Sequence, residues 1–376
     1  MPYLNDMLED TRRRALEKER LKAVEESVGV GDPAAPALHD ERIESRYRFD
    51  VDEIVASVRR EIIGQDEAIQ SMERVLRIVR ADIADARRPL HTALLLGPTG
   101  VGKTEMIRAL ARSLHGDPEA FCRVDMNTLS QEHYAAALTG APPGYVGSRE
   151  GNTVLDQELI EGGLHKPGIV LFDEVEKASD EVTEALLNVF DNGILVVASG
   201  QRTYSFRNTL IFMTSNLGAR DLQAYEERSR KIPYRWFRHE HRHQPERVRR
   251  LVEKQLLRRF SPEFVNRIDT VTVFNWLGAD LVRQLVALEL ERLNQRLARH
   301  RVVLRLTDPV RERVATAGYD RKFGARALRR SMRHEIEAPL AYFLLTRYQP
   351  AGSTGDFVTL EGSLGNDGKI EFRSIN

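Results

Sequence analysis

The run Gly97-Pro98-Thr99-Gly100-Val101-Gly102-Lys103-Thr104 constrains the fold of this chain more than any other stretch. It fits G-x-x-x-x-G-K-[ST], a loop whose backbone N–H groups wrap the phosphates of a nucleoside triphosphate. Such a loop needs a buried strand before it and a helix behind it. Ala93-Leu94-Leu95-Leu96 supplies the apolar strand, and residues 104–114 read as the helix. The helix N-terminus adds its partial positive charge at the phosphates. Lys103 is expected to reach the β- and γ-phosphates, and the Thr104 hydroxyl to hold Mg²⁺. A chance glycine-rich turn would lack this strand–loop–helix setting.

The rest of the composition agrees with a globular nucleotide-binding protein. The 376 residues are 41% hydrophobic and 30% charged, enough apolar material for two domains. No stretch is long and apolar enough for a membrane span, and Met1-Pro2-Tyr3-Leu4-Asn5-Asp6 lacks a signal-peptide pattern, so a cytoplasmic protein is expected. A single cysteine, Cys122, excludes an internal disulfide and fits a reducing compartment. The zero formal net charge leaves no global field to gather nucleic acid.

Along the chain, residues 1–27 read as a charged N-terminal helix with a thin apolar stripe, and 28–46 as a flexible linker containing Gly29, Gly31, Pro33 and Pro36. From 47 to 274 strands and helices alternate as in a parallel α/β sheet, with strands expected at 92–96, 121–125, 168–172, 209–214 and 270–274. From 275 to 376 the pattern changes to a smaller α+β domain. Its helices are expected at 278–299, 309–316 and 324–346, and its strands at 301–306, 356–361 and 368–373. Thr307-Asp308-Pro309 reads as a cap followed by a first-turn proline.

Two strand ends carry chemistry. Ile169-Val170-Leu171-Phe172 runs into Asp173-Glu174, which at the C-terminal edge of a parallel sheet sets two acids beside the phosphate loop. Asp173 is expected in the Mg²⁺ shell, and Glu174 as the base that orients and deprotonates water. Thr209 to Ser215 is a further strand, and Asn216 at its end is placed to position that water; read alone, Asn216 is as readily a cap or turn residue.

Together these segments resemble the AAA+ ATPases, specifically the Clp class of protein unfoldases and disaggregases, and within it the second ATPase module of ClpB and ClpA. Ile62-Ile63-Gly64-Gln65 resembles the adenine-side box of that family. Gly140-Ala141-Pro142-Pro143-Gly144-Tyr145-Val146-Gly147, Phe172 to Ala178, Met213 to Gly218, Pro262 to Asp269 and Phe323 to Arg330 are near-verbatim matches. The resemblance runs from about Tyr47 to the C-terminus. It implies an AAA+ P-loop domain over 47–274, a lid domain over 275–376, and hydrolysis of ATP with Mg²⁺. It also implies that Ile62 and Ile63 flank the adenine, that Arg267 is an arginine finger acting in a neighbouring subunit, and that Arg326 is the second-sensor arginine. A finger supplied in trans requires a closed ring, in this family a hexamer. Tyr145 and Val146 would then line a central pore and grip an extended polypeptide; on local sequence alone, Tyr145 also fits a tight turn.

The chain departs from the family in several places. It holds one ATPase module, so a single-ring protein is expected. Ser148-Arg149-Glu150-Gly151-Asn152 replaces the usual aromatic, acids and paired glycines after the pore tyrosine, Thr128 stands where an acid is usual, and Gly162-Gly163-Leu164-His165 lengthens a connection. These bear on substrate range more than on hydrolysis. Residues 219–259 contain no aliphatic–Gly–Phe/Leu triplet, which argues against docking to a ClpP-type peptidase. In its place Arg228 to His243 mixes arginines with Tyr234, Trp236 and Phe237, a composition open to a partner protein, to nucleic acid or to plain solvation. His239, His241 and His243 alternate there, with no cysteine nearby to favour a metal site. The expectation is an ATP-dependent unfoldase or remodelling chaperone acting on protein substrates, met directly or through an adaptor. A dedicated switch for one partner complex and a nucleic-acid motor are the alternatives.

Overall fold

The computed structural model describes residues 45–130, 155–196, 203–218, 244–276, 278–318, 324–348, 357–365 and 368–375. They belong to one compact unit, Glu44–Asn376. The expected N-terminal helix, nearly all of the linker, the pore-loop pair Tyr145 and Val146, and the basic–aromatic stretch 228–243 lie outside the described residues.

In chain order the first elements are α1 (Val51–Glu61), α2 (Asp66–Arg80), β1 (His91–Leu96), α3 (Lys103–His115), β2 (Cys122–Asp125), α4 (Gln157–Glu161) and β3 (Gly168–Asp173). Then come α5 (Asp180–Asn192), β4 (Ile194–Val196), β5 (Thr203–Ser205), β6 (Thr209–Ser215), α6 (Gln244–Arg259), α7 (Pro262–Asn266) and β7 (Thr270–Val273). Strands β2-β3-β6-β1-β7 form one five-stranded sheet in that order, every pair parallel. All five expected strands are present to within a residue, while the β4–β5 hairpin had no clear signal in the sequence.

Both faces of the three central strands β3, β6 and β1 are covered, which is why these read as apolar runs, while the edge strands β2 and β7 alternate in burial. Leu94, Val170, Phe172, Ile211 and Met213 point into one core, shared with Leu186 and Phe190 of α5 and with Leu256, Phe260 and Phe264. Their strand neighbours Ala93, Leu95, Ile169, Leu171, Leu210 and Phe212 point into the other, closed by α1, α2 and α3. Because the strands are parallel, their C-terminal ends share one edge, and the phosphate loop, Asp173 and Asn216 all leave from it.

The smaller part begins with α8 (Ala279–Leu297) and continues through β8 (Val302–Leu306), α9 (Asp308–Gly318), α10 (Ala325–Met332), α11 (Ala338–Thr346), β9 (Val358–Leu364) and β10 (Ile370–Ser374). Strand β9 pairs parallel with β8 and antiparallel with β10, and these elements enclose a third apolar core. Thr307 precedes α9 as expected, but its hydroxyl donates to the Gly362 carbonyl, 3.3 Å away, and fastens the helix start to β9. The helix expected over 324–346 is interrupted by one π-helical turn, Arg333–Glu337. Pro339, just beyond it, has no N–H to continue an α-helical ladder, and the Ala338 N–H reaches back five residues to Arg333. Among the described residues no helix is long and apolar enough to cross a membrane.

The chain enters the core closed by α1, α2 and α3 through Tyr47, which is fully buried. Its hydroxyl donates to Asn208 Oδ1 at 2.7 Å, and Asn208 Nδ2 donates to the carbonyls of Glu161 and Gly163 at 2.9 and 3.0 Å. Asn208→Ala strips the buried Tyr47 hydroxyl and two partly buried carbonyls of this partner and is expected to cost about 2–3 kcal/mol. Urea unfolding followed by circular dichroism measures it, and an unchanged midpoint would show that the entry segment is fixed by apolar packing alone.

Candidate functional site

Helix α3 begins at Lys103, so the phosphate loop hands over directly to a helix N-terminus. The Lys103 side chain is buried, and its three N–H groups are shared among four oxygens within reach: the carbonyls of Gly97, Pro98 (3.2 Å) and Ser215 (3.0 Å), and Asn216 Oδ1 (2.8 Å). Burial pushes this ammonium down to about 8, against the opposing pull of Glu176, Asp173 and Glu174. Gln65, also buried, ties the same loop from the other side. Its Nε2 donates to the Val101 and Asn275 carbonyls, and its Oε1 accepts the Asn275 N–H at 2.9 Å.

The acids are fixed with equal care. Glu174 sits in the left-handed region at φ 57°, ψ 52°, a conformation that costs a non-glycine residue about 1 kcal/mol or more. The turn is held at both ends: the Glu174 N–H donates to Thr214 Oγ1 at 3.0 Å, and its carbonyl accepts the Lys177 N–H at 2.9 Å. The same Thr214 hydroxyl donates to Asp173 Oδ1 at 2.5 Å. Arg123 of β2 donates to Asp173 Oδ2 at 2.5 Å. Asn216 then closes the set, accepting from Lys103 through Oδ1 and offering Nδ2 to Glu174 Oε1 at 3.5 Å.

Lys103, Arg123, Asp173, Glu174, Thr214 and Asn216 line one cavity of about 390 Å³, within the range of small-molecule sites, roughly 300–1,000 Å³. Of the residues singled out in the sequence, Ile62, Ile63, Thr99 through Thr104, Asp173, Glu174, Asn216 and Arg326 all face it. Gly97 and Pro98 do not line it; they contribute the carbonyls that hold Lys103. The Thr104 hydroxyl and the Asp173 carboxylate open on the same cavity, and such hard oxygen donors fit Mg²⁺. Among the described residues no cluster of His, Cys, Asp or Glu is arranged for a metal of another kind.

The small domain closes the cavity. Gly324, at φ 53°, lies so close to the phosphate loop that a Cβ there would stand 2.7 Å from the Gly100 oxygen. The next N–H, of Ala325, donates to that oxygen at 2.9 Å. Arg326 follows and faces the cavity. Arg108, Arg123, Arg292 and Arg329 face it as well, but each is paired with a carboxylate; among the described residues Arg326 is the cavity arginine with no such partner.

Arg267 is elsewhere. It follows α7 just before β7 begins, at the edge of the sheet opposite the phosphate loop, and pairs with Asp191 of α5 at 2.7 Å. It does not line this chain's cavity. Sequence reasoning gave no role to Thr214, Arg123 or the carboxylates Glu61, Glu105 and Glu289, and named Gln65 only as part of the adenine-side box. Thr214 carried a signal: a hydroxyl directly after the apolar run 210–213 and two residues before Asn216.

Residues 88–271 match the family described as AAA domain (Cdc48 subfamily), and residues 277–355 match the C-terminal, D2-small domain, of ClpB protein. The chain is 57% identical over 350 residues to the ATP-dependent protease ATP-binding subunit-like protein AmiB of Pseudomonas aeruginosa, covering 93% of this chain and 94% of that one. It is 38% identical over 323 residues to the ATP-dependent Clp protease ATP-binding subunit ClpC of Staphylococcus epidermidis, covering 84% of this chain and 36% of the relative. Among solved structures it resembles the S. cerevisiae Hsp104:casein complex in its extended conformation, with a TM-score of 0.71 and 27% identity over 86% of this chain and 52% of that one. The chain thus spans about half the length of Hsp104 and about a third of ClpC.

Thr214→Val keeps the shape of the side chain and removes the one hydroxyl that serves both acids. It is expected to lower kcat for ATP about tenfold or more while leaving KM for ATP within a few-fold. Steady-state phosphate release measures both; an unchanged kcat would mean that the strained Glu174 turn holds its geometry without β6.

Proposed function

The chain belongs to the Clp class of AAA+ ATPases and hydrolyses ATP, and we propose that it works as a hexameric ring that unfolds or remodels protein substrates by drawing them through a pore lined by Tyr145. The observation that carries the ring is the position of Arg267. Every other proposed site residue described here lies at or beside one cavity, whereas Arg267 lies outside it, before the N-terminal end of β7 and paired with Asp191. A neighbouring subunit's cavity is the place where its guanidinium would meet a γ-phosphate.

In this reading Glu174, aimed by its left-handed turn and by Asn216, takes the proton of the attacking water. Lys103 and Arg326 bind the phosphates and meet the charge that gathers on the γ-phosphoryl oxygens. Thr104 and Asp173 would hold Mg²⁺, which when bound neutralises charge on the β- and γ-oxygens. Ile62 and Ile63 form the apolar flank for the base. Residues 47–274 and 275–376 act as the large and lid domains, each contributing one wall. The protein is proposed to act in the cytoplasm. The missing peptidase-docking triplet supports remodelling without a ClpP-type partner, although relatives carry a protease-subunit description. Residues 228–243 and the N-terminal segment 1–27 are proposed to dock a partner and an adaptor or substrate.

Two experiments test this function. Arg267→Ala is expected to bind ATP normally and to lose hydrolysis by about 10³-fold, and mixing it with Glu174→Gln protein should restore part of the activity, because in mixed rings an intact Arg267 then faces an intact Glu174. No recovery in any mixture, or an active monomer by light scattering, would refute the trans arrangement. Tyr145→Ala is expected to keep basal ATPase activity within a few-fold and to lose unfolding of a tagged fluorescent protein; retained unfolding would remove Tyr145 from the grip. ATPase stimulation by DNA but not by casein would favour a nucleic-acid motor instead.

A further inference from the structure

Glu105 occupies the first turn of α3, one residue beyond Thr104, and an acid there commonly does no more than complement the helix dipole. Here its carboxylate turns toward the small domain. Glu105 Oε1 is 2.7 Å from Arg292 Nη2 of α8 and 3.3 Å from Arg329 Nη2 of α10. The two guanidiniums are also joined by Glu289, which lies 3.1 Å from Arg292 and 3.2 Å from Arg329. Arg292 reaches on to Glu61 at 3.5 Å, and Arg112 clasps that same carboxylate. Three acids and three guanidiniums form one linked cluster along the cavity wall.

The register of α10 gives the cluster its meaning. Arg326 and Arg329 are three residues apart and share a helix face. The start of α10 is pinned on the phosphate loop by the Ala325 N–H to the Gly100 carbonyl. A helix held at one point still rocks and rotates. Arg329 on Glu105 supplies the second point, one turn along, and Arg326 lies between the two. Both points belong to the same stretch of the large domain, Gly100 to Glu105, which is the stretch that wraps the phosphates. Glu105, Glu289 and Glu61 engage these guanidiniums, and among the described residues no carboxylate pairs with Arg326, so its charge can face the nucleotide.

We propose that Glu105 is a positioning residue that sets Arg326 over the phosphates by anchoring Arg329 and Arg292 of the small domain. The inference rests on the reading of Arg326 as a phosphate-contacting arginine. Exposed ion pairs add little stability on their own, and Arg329 is half exposed, so the cluster acts through geometry more than through the folding free energy.

A double-mutant cycle on the full chain tests this, with the fluorescent nucleotide mant-ATP as the binding probe and phosphate release as the second readout. Glu105→Gln and Arg326→Ala are each expected to weaken mant-ATP binding about tenfold, and the double variant to be no weaker than Arg326→Ala alone. The Arg292→Met/Arg329→Met variant, which leaves Glu105 in place, should reproduce the loss and serves where Glu105→Gln folds poorly by circular dichroism. If the losses from Glu105→Gln and Arg326→Ala simply add, or if Arg292→Met/Arg329→Met binds like the parent, Glu105 does not act through the lid and the proposal fails alone. If Arg326→Ala itself changes neither binding nor turnover, the proposal fails together with the reading of Arg326 on which it stands.

Discussion

The buried ammonium of Lys103 is the point on which the site depends. It is held by carbonyls from two strand ends, Gly97 after β1 and Ser215 of β6, and by the Asn216 side chain. Burying a cation without partners is prohibitively costly, so the carbonyls must be in place before the lysine can be. The parallel pairing of β1 with β6, from His91 opposite Leu210 to Leu96 opposite Ser215, is what brings those oxygens together. The sheet register and the charge of the site are therefore one constraint. A slip of one residue between β1 and β6 would both turn apolar side chains to the wrong face and dismantle the ammonium's cage.

From that tie outward, each group has its position fixed by a different strand. Asn216 links Lys103 to Glu174, Thr214 links Glu174 to Asp173, and Arg123 reaches Asp173 from β2. Four neighbouring strands of the sheet are thus stitched together at their C-terminal ends by polar side chains, while their interiors are joined by apolar ones. The strain in the Glu174 turn is tolerable because its N–H and carbonyl are both satisfied.

Much of this was legible in the sequence, and the reason is locality. The phosphate loop, the acidic strand end and Asn216 announce themselves within a few residues, because their chemistry needs particular neighbours along the chain. The three central strands were legible because a doubly covered parallel sheet leaves apolar runs bounded by polar ends, and the edge strands β2 and β7 because they alternate. What escaped was set by contacts across the chain. Gln65 bonds Asn275, 210 residues away, and Glu105 meets Arg329 across 224. In a chain with 56 basic and 56 acidic residues, one glutamate and one arginine so far apart carry no mark of belonging together. The β4–β5 hairpin escaped for a related reason: strands of three residues are too short to show a period.

The π-helical turn at Arg333–Glu337 has a geometric consequence for the lid. Leu328, Met332, Ile336 and Leu340 are all buried, and they recur every fourth residue. In a regular α-helix such a series drifts around the axis by about 40° per step, so that over three steps it would wind roughly 120° away from the core. A single wider turn absorbs about one residue of that drift and brings the later side chains back into line. Pro339 therefore works as a phase correction: one continuous rod keeps its apolar seam on the core from Leu328 to Leu340.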